Sequence, residues 1–411
     1  GTSTLAAGWD VYIGPLTINS AATGGSITVT GNVINTPGVN GGINQSGAIT
    51  GVSGTNISFI SNNNISQAGT ITLPANTSGT ASNITYNTTG GAATTTNSKL
   101  ATVTTGALSI GANSTSAINY SVLTAGANIN PTTIGSSTVA LPGYVLLDNT
   151  FGCTGTNCMP VSGFIGVENN NLSLAVAGYG VLINNAIYAA NNITIRGVNN
   201  AANTGAVLLQ AALVSTTGDI NITGTTTSGW AITNYVNGVG AYNNTNTANS
   251  GAINLTATAT TTGYGVYFVS YGAMSAKSIT VIGNSAGNYA AYLGAMTIVS
   301  GGGNINVTGT VTTSSNTAIY QAGAIADNAA GSNISFIANG IINQTGTIAL
   351  VANTTGTAAT LSYNAIAGDK TSNITTGTLT IGAGTNNSGI NYIVKSAGSA
   401  INPGTIGSST L

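Results

Sequence analysis

Six peptides of one form recur along this chain: "NNITIRG", "GDINITGT", "GAINLTAT", "KSITVIGN", "GNINVTGT" and "SNISFIAN". Their isoleucines are Ile193, Ile220, Ile253, Ile279, Ile305 and Ile334, separated by 27, 33, 26, 26 and 29 residues. Nearer the amino terminus, Ile27 ("SITVTGN") and Ile57 ("NISFISN") lie 30 apart. Within each peptide apolar and small polar residues alternate, the period-2 signature of a strand with one buried face. Gly, Asn and Ser punctuate the strands, as tight turns require. No stretch sustains a 3.6-residue apolar period, and Glu, Lys and Arg are scarce, so helices are not expected.

A strand that returns at this spacing constrains the fold strongly. One period is too short for a domain and fits one coil of a solenoid holding two or three short strands. The expected fold class is all-β: a parallel β-helix with coils of about 25–33 residues, each stacked on the next at about 4.8 Å by strand pairing. Equivalent residues would then form ladders, with Ile and Val inside and Asn and Thr hydrogen-bonded outside. The rival architecture is a row of tandem antiparallel β-sandwiches, which shows turns every 8–12 residues or so. The stretch "TITLPANTSGTASNITYN" (Thr70 to Asn87) fits the coil spacing poorly and is read as a longer coil or a protruding hairpin.

A longer repeat encloses the shorter one. "GTNISFISNNNISQAGTITLPANTSGTAS" (from Gly54) matches "GSNISFIANGIINQTGTIALVANTTGTAA" (from Gly331). "INPTTIGSST" (from Ile129) matches "INPGTIGSST" (from Ile401). The offset drifts from 280 at Ile18/Ile298 to 277 at Ile57/Ile334 and 272 at Ile118/Ile390, which short loop indels explain. Residues 1–139 are therefore expected to be one module copy and 289–411 a second. Residues 140–288 form a middle, tyrosine-rich segment, and the whole reads as a window of a longer tandem array.

Charge narrows the function. The chain has five basic and six acidic residues, 3% charged against about 25% in an ordinary domain. Stacking like charges in a ladder would be repulsive, so a neutral chain suits a solenoid. The scattered Lys99, Arg196, Lys277, Lys370 and Lys395 form no phosphate-binding patch, so no nucleic-acid partner is expected. No apolar run reaches the roughly 20 residues of a membrane span.

The "GxIxhTG" strands, the Asn, Thr and Gly richness and the long inexact repeats resemble filamentous-haemagglutinin-like bacterial adhesins and related giant β-strand-repeat surface proteins. That resemblance implies a secreted or cell-surface β-helix that forms filaments or fibres. It carries over no functional residue. Two function classes follow: a structural extracellular fibre that self-associates, or an adhesin module that binds glycans or a solid surface.

Catalysis is not expected. There is no histidine to activate a serine. Asp10, Asp148, Glu168, Asp219, Asp327 and Asp369 stand apart, without the paired carboxylates of a glycosidase. Asp219 reads as a turn residue and Arg196 as an exposed strand residue. No cofactor or metal is called for. Cys153 and Cys158, in "CTGTNC", are read as a local disulfide, which favours an oxidising compartment. Trp230, Tyr235, Tyr242, Tyr264, Tyr267, Tyr271, Tyr289 and Tyr292 concentrate in the middle segment and at its border with the second copy. They are either aromatics stacked within a strand ladder or a stripe for subunit or glycan contact.

Overall fold

The computed structural model describes residues 2–3, 9–20, 24–33, 42–52, 54–73, 82–88, 103–110, 118–123, 129–130, 145–148, 181–183, 187–189, 192–199, 205–236, 240–241, 245–313, 316–327, 333–350, 358–365, 372–381, 390–396 and 400–407. These residues form strands and turns, with no helix among them. The chain divides into two compact units, Gly1–Thr216 and Thr217–Leu411. In both, successive turns pair parallel, as a β-solenoid. Among the described residues the one antiparallel pairing is Tyr235–Val236 against Gly240–Ala241.

The first unit shows how one turn is built. The strands Asn56–Ser61, Ile65–Gln67 and Ile71–Leu73 follow one another around the coil. Each pairs with its counterpart one turn away. Asn56–Ser61 lies between Ser26–Val33 and Ser82–Asn87, which is followed by Ile118–Leu123, Val145–Asp148 and Ile193–Asn199. Ile65–Gln67 lies between Ile43–Gln45 and Val103–Thr104. Ile71–Leu73 belongs to a four-stranded sheet with Ile18–Asn19, Ile49–Thr50 and Leu108–Ile110.

The second unit repeats the plan. Ile220–Thr226, Thr245–Ala259, Tyr264–Ser285, Ile305–Val311, Asn333–Ala338, Ala359–Ala365 and Ile390–Ser396 form one continuous face. Tyr264–Ser285, at 22 residues, runs unbroken through a corner and serves two faces, with a register shift between Ser270 and Ala273.

The isoleucines that set the period in sequence are direct partners in space. Ile27 pairs with Ile57, Ile220 with Ile253, Ile253 with Ile279, Ile279 with Ile305 and Ile305 with Ile334. Ile57, Ile220, Ile253, Ile279, Ile305 and Ile334 are buried. Each such side chain contributes about 1.5–3 kcal/mol, so the core is a column of modest increments rather than one large cluster. Of the stretch expected to hold a longer coil or a protruding hairpin, residues 74–81 lie outside the described residues, and the described part keeps the period. Ser82–Asn87 is an ordinary parallel rung, with Ile84 paired to Ile57. Its alternation Ile84, Tyr86 faces inward like Ile57, Phe59, and the intervening "PANTSG" had obscured it.

Outside, amides link the turns. Asn83 Nδ2 donates to Asn56 Oδ1 at 2.7 Å, and Asn119 Nδ2 to Asn83 Oδ1 at 2.9 Å. Asn254 Nδ2 donates to Asn221 Oδ1 at 2.8 Å. Asp219 acts where a turn residue was expected: its Oδ1 accepts from Ala252 N on the next turn at 2.7 Å. Arg196 is exposed on its strand, as read from sequence, with Asp148 its register partner.

Inside, a polar column runs beside the apolar one. Gln67 Nε2 donates to Gln45 Oε1 at 3.0 Å and to Gly69 O, while its Oε1 accepts from Tyr86 OH and Gly106 N, both at 2.8 Å. The later module has the same arrangement. Gln344 Nε2 donates to Gln321 Oε1 at 2.9 Å and to Gly346 O, and its Oε1 accepts from Tyr363 OH at 2.9 Å and Gly377 N at 2.8 Å. All four glutamines are buried. A buried amide without partners would cost about 1–3 kcal/mol, so each rung requires the next.

The corner glycines fit the same logic. A Cβ on Gly69 would lie 1.6 Å from Gly47 O, one on Gly346 1.7 Å from Gly323 O, and one on Gly377 2.0 Å from Gly346 O. Glycine recurs there because the backbone of the neighbouring turn occupies the side chain's place.

Candidate functional site

An outward aromatic ladder crosses four turns of the second unit. Two glycines with positive φ, Gly229 (106°) and Gly263 (119°), turn the chain into Trp230 and Tyr264. Only glycine adopts such a φ readily, and a Cβ on Gly263 would also meet Gly229 O at 2.1 Å. Tyr264 N donates to Gly229 O at 2.7 Å. Ser285 Oγ donates to Gly263 O at 2.6 Å and fixes the corner from the following turn.

Strand register then does the rest. Trp230 pairs with Tyr264, Tyr267 with Tyr292, and Tyr292 with Tyr320. Tyr289 lies beside Tyr264, its carbonyl accepting from Gly265 N at 3.1 Å. One column is Trp230, Tyr264 and Tyr289, with ring centroids 6.5 and 6.0 Å apart and planes within 21° and 13°. The other is Tyr267, Tyr292 and Tyr320, with gaps of 5.0 and 4.6 Å. Tyr264 and Tyr267, at 4.5 Å, and Tyr289 and Tyr292, at 5.0 Å, join the columns sideways. Such pairs contribute about 0.5–1.5 kcal/mol each beyond their area burial.

Trp230 is buried, and the five tyrosines are half-buried. Within the second column Tyr292 and Tyr320 stack with planes within 15°, whereas Tyr267 is tilted 40° to Tyr292. Burial raises the Tyr264 phenol above its ordinary value, with Tyr289 adding to the effect. Burial also raises Tyr292, with Tyr320 and Tyr289 adding. Tyr264 and Tyr292 are therefore neutral at physiological pH.

The structure thus brings together Trp230, Tyr264, Tyr267, Tyr289 and Tyr292 from the aromatic set chosen in sequence. Tyr235 lies instead on the antiparallel excursion, paired with Ala241, and Tyr271 lies at the register shift of its strand. Tyr242, Cys153 and Cys158 lie outside the described residues, as do Glu168, Asp369 and Lys370. Sequence reasoning missed Tyr320, which closes the ladder one turn after Tyr292. The turn period would have found it, since Tyr292 and Tyr320 are 28 residues apart.

The buried Gln–Tyr–Gly column was also missed. Its signal was present: four of the chain's five glutamines stand in Ile-x-Gln-x-Gly, at Gln45, Gln67, Gln321 and Gln344.

Among the described residues no group of three or more His, Cys, Asp or Glu could hold a metal ion, and no helix is long and apolar enough to cross a membrane. No protein-family model, curated protein or solved structure matches the chain. The functional reading therefore stands on the solenoid and its surfaces.

Proposed function

We propose that this chain is a structural element of an extracellular or cell-surface filament, built by stacking β-solenoid turns. The supporting observation is the register between turns: within each unit successive turns pair parallel with isoleucine on isoleucine, so each turn is a template for the next. Ile129 and Ile401 open the same repeated peptide. Ile129 is 0% exposed, between Val103 and Val181 on the neighbouring turns. Ile401 pairs in the same way with Ile374. Filament growth has two routes, further turns of one polypeptide or stacking of separate copies.

The near-neutral surface and the resemblance to filamentous-haemagglutinin-like adhesins support a secreted setting. They favour a non-enzymatic role with no nucleic-acid partner. An adhesin role is the second reading, carried by the row of half-buried tyrosine hydroxyls, which would bind glycans by hydrogen bonds.

Electron microscopy of the native material with helical averaging tests the filament. Continuous rods with an axial repeat of about 4.8 Å support it. Discrete, separate particles at high protein concentration refute it. Loss of binding to a glycan panel in Tyr292→Ala would favour the adhesin reading.

A further inference from the structure

We propose that the outward tyrosine ladder is a site of oxidative cross-linking, at which dityrosine bonds staple successive turns together. The geometry that carries it is the pair Tyr292 and Tyr320. They are register partners on adjacent turns, with centroids 4.6 Å apart and planes within 15°. Tyr267 and Tyr292, at 5.0 Å, form the next such pair. All three rings are half-buried. Burial of one side holds the pair in place, and exposure of the other lets a diffusible oxidant and the departing proton through.

The oxidant class is a peroxide consumed by a one-electron peroxidase. Each phenol loses one electron and its hydroxyl proton to give a phenoxyl radical. The two radicals join through the ring carbons ortho to oxygen. The hydrogens displaced from those carbons return to the oxygens as the rings regain aromaticity. Two tyrosines and one hydrogen peroxide give one dityrosine and two waters.

The molecule contains its own control. Tyr86 and Tyr120 also lie ring to ring, at 5.6 Å, but both are fully buried, beyond the reach of such an oxidant, and Tyr363 is buried with its ring stacked on Phe336. The site does not depend on filament formation, because both partners of each pair belong to one chain.

The ladder's rungs fall on different cyanogen bromide fragments. Cleavage after Met274 and Met296 places Tyr289 and Tyr292 on residues 275–296 and Tyr320 on the following fragment. Both methionines are buried, which shields their thioethers from peroxide. The experiment treats the dilute, intact chain with peroxidase and hydrogen peroxide, then cleaves it and weighs the fragments.

The expected result is 275–296 joined to the fragment bearing Tyr320. Its mass is two hydrogens below the sum of the parts, and it shows dityrosine fluorescence. Tyr320→Phe keeps the ring and abolishes the product, while Tyr363→Phe leaves it unchanged. Three results would overturn the proposal. One is separate fragments in a reaction where added N-acetyltyrosine dimerises. Another is a product that survives Tyr320→Phe. The third is cross-linking only between molecules, which disappears on dilution.

Discussion

Tyr120 and Tyr392 occupy the same place in two copies of one module and live in different surroundings. Each closes an aromatic stack: Phe59, Tyr86, Tyr120 in one, Phe336, Tyr363, Tyr392 in the other. The ring separations are 5.1 and 5.6 Å against 5.1 and 5.8 Å, and the plane angles differ by about two degrees. Tyr120 is 1% exposed because Ile118–Leu123 has Val145–Asp148 paired above it. Tyr392 is half-buried, and its strand, Ile390–Ser396, alternates half-buried and exposed residues. Near-identical peptides thus give near-identical internal geometry. Burial is set by the next turn, so a rung's contribution to stability belongs to its neighbours as much as to itself.

Raising the pH should separate the two copies most. Burial lifts the phenols of Tyr86, Tyr120 and Tyr363 far above their ordinary value, and that of half-buried Tyr392 less. The unfolded chain releases these protons above pH of about 10 while the folded chain retains them. The native state then binds more protons, so stability is intact below about pH 10 and falls as pH rises further. Tyrosinate absorbance should show Tyr392 titrating before Tyr120, and hydrogen exchange should show the region of Tyr120 opening cooperatively. Equal titration of the two would break the comparison.

Truncation comes next. Tyr120→Ala should cost about 3–5 kcal/mol in chemical denaturation, as for other fully buried aromatics. Tyr392→Ala should cost well under half of that. A substitution at a position covered in both copies removes the contrast: Gly69→Ala and Gly346→Ala should each cost about 3 kcal/mol or more. Unequal losses there would mean that the copies differ inside as well as at the covering turn.

The smallest effect concerns the outer amides. Asn83 stands between Asn56 and Asn119, whereas its counterpart Thr360 stands between Asn333 and Asn391. Asn83→Thr should lose about 0.5–1 kcal/mol, and Thr360→Asn should gain a similar amount. Thermal unfolding of the two variants would check this.

How much of this was legible follows from the same residues. The isoleucine ladder was readable because an apolar residue at a fixed interval needs no partner to declare its direction. Five of the six ladder aromatics were readable because they cluster in sequence. Tyr320 stands 28 residues beyond Tyr292, outside that cluster, and only the turn period points to it. The glutamines were opaque for a physical reason. A lone Gln beside Gly reads as turn material, and only register shows that Gln67 sits against Gln45 with Tyr86 and Gly106 closing the ring of bonds. After Thr70 the spacing looked irregular, yet register still pairs Ile84 with Ile57.

The neutral outer ladders have one more consequence. Asn56, Asn83 and Asn119 hold adjacent turns together by hydrogen bonds between side-chain amides where many proteins use ion pairs. Screening by dissolved salt weakens exposed ion pairs and leaves hydrogen-bonded amides largely untouched. Turns joined this way should hold together equally well in fresh water and in brine.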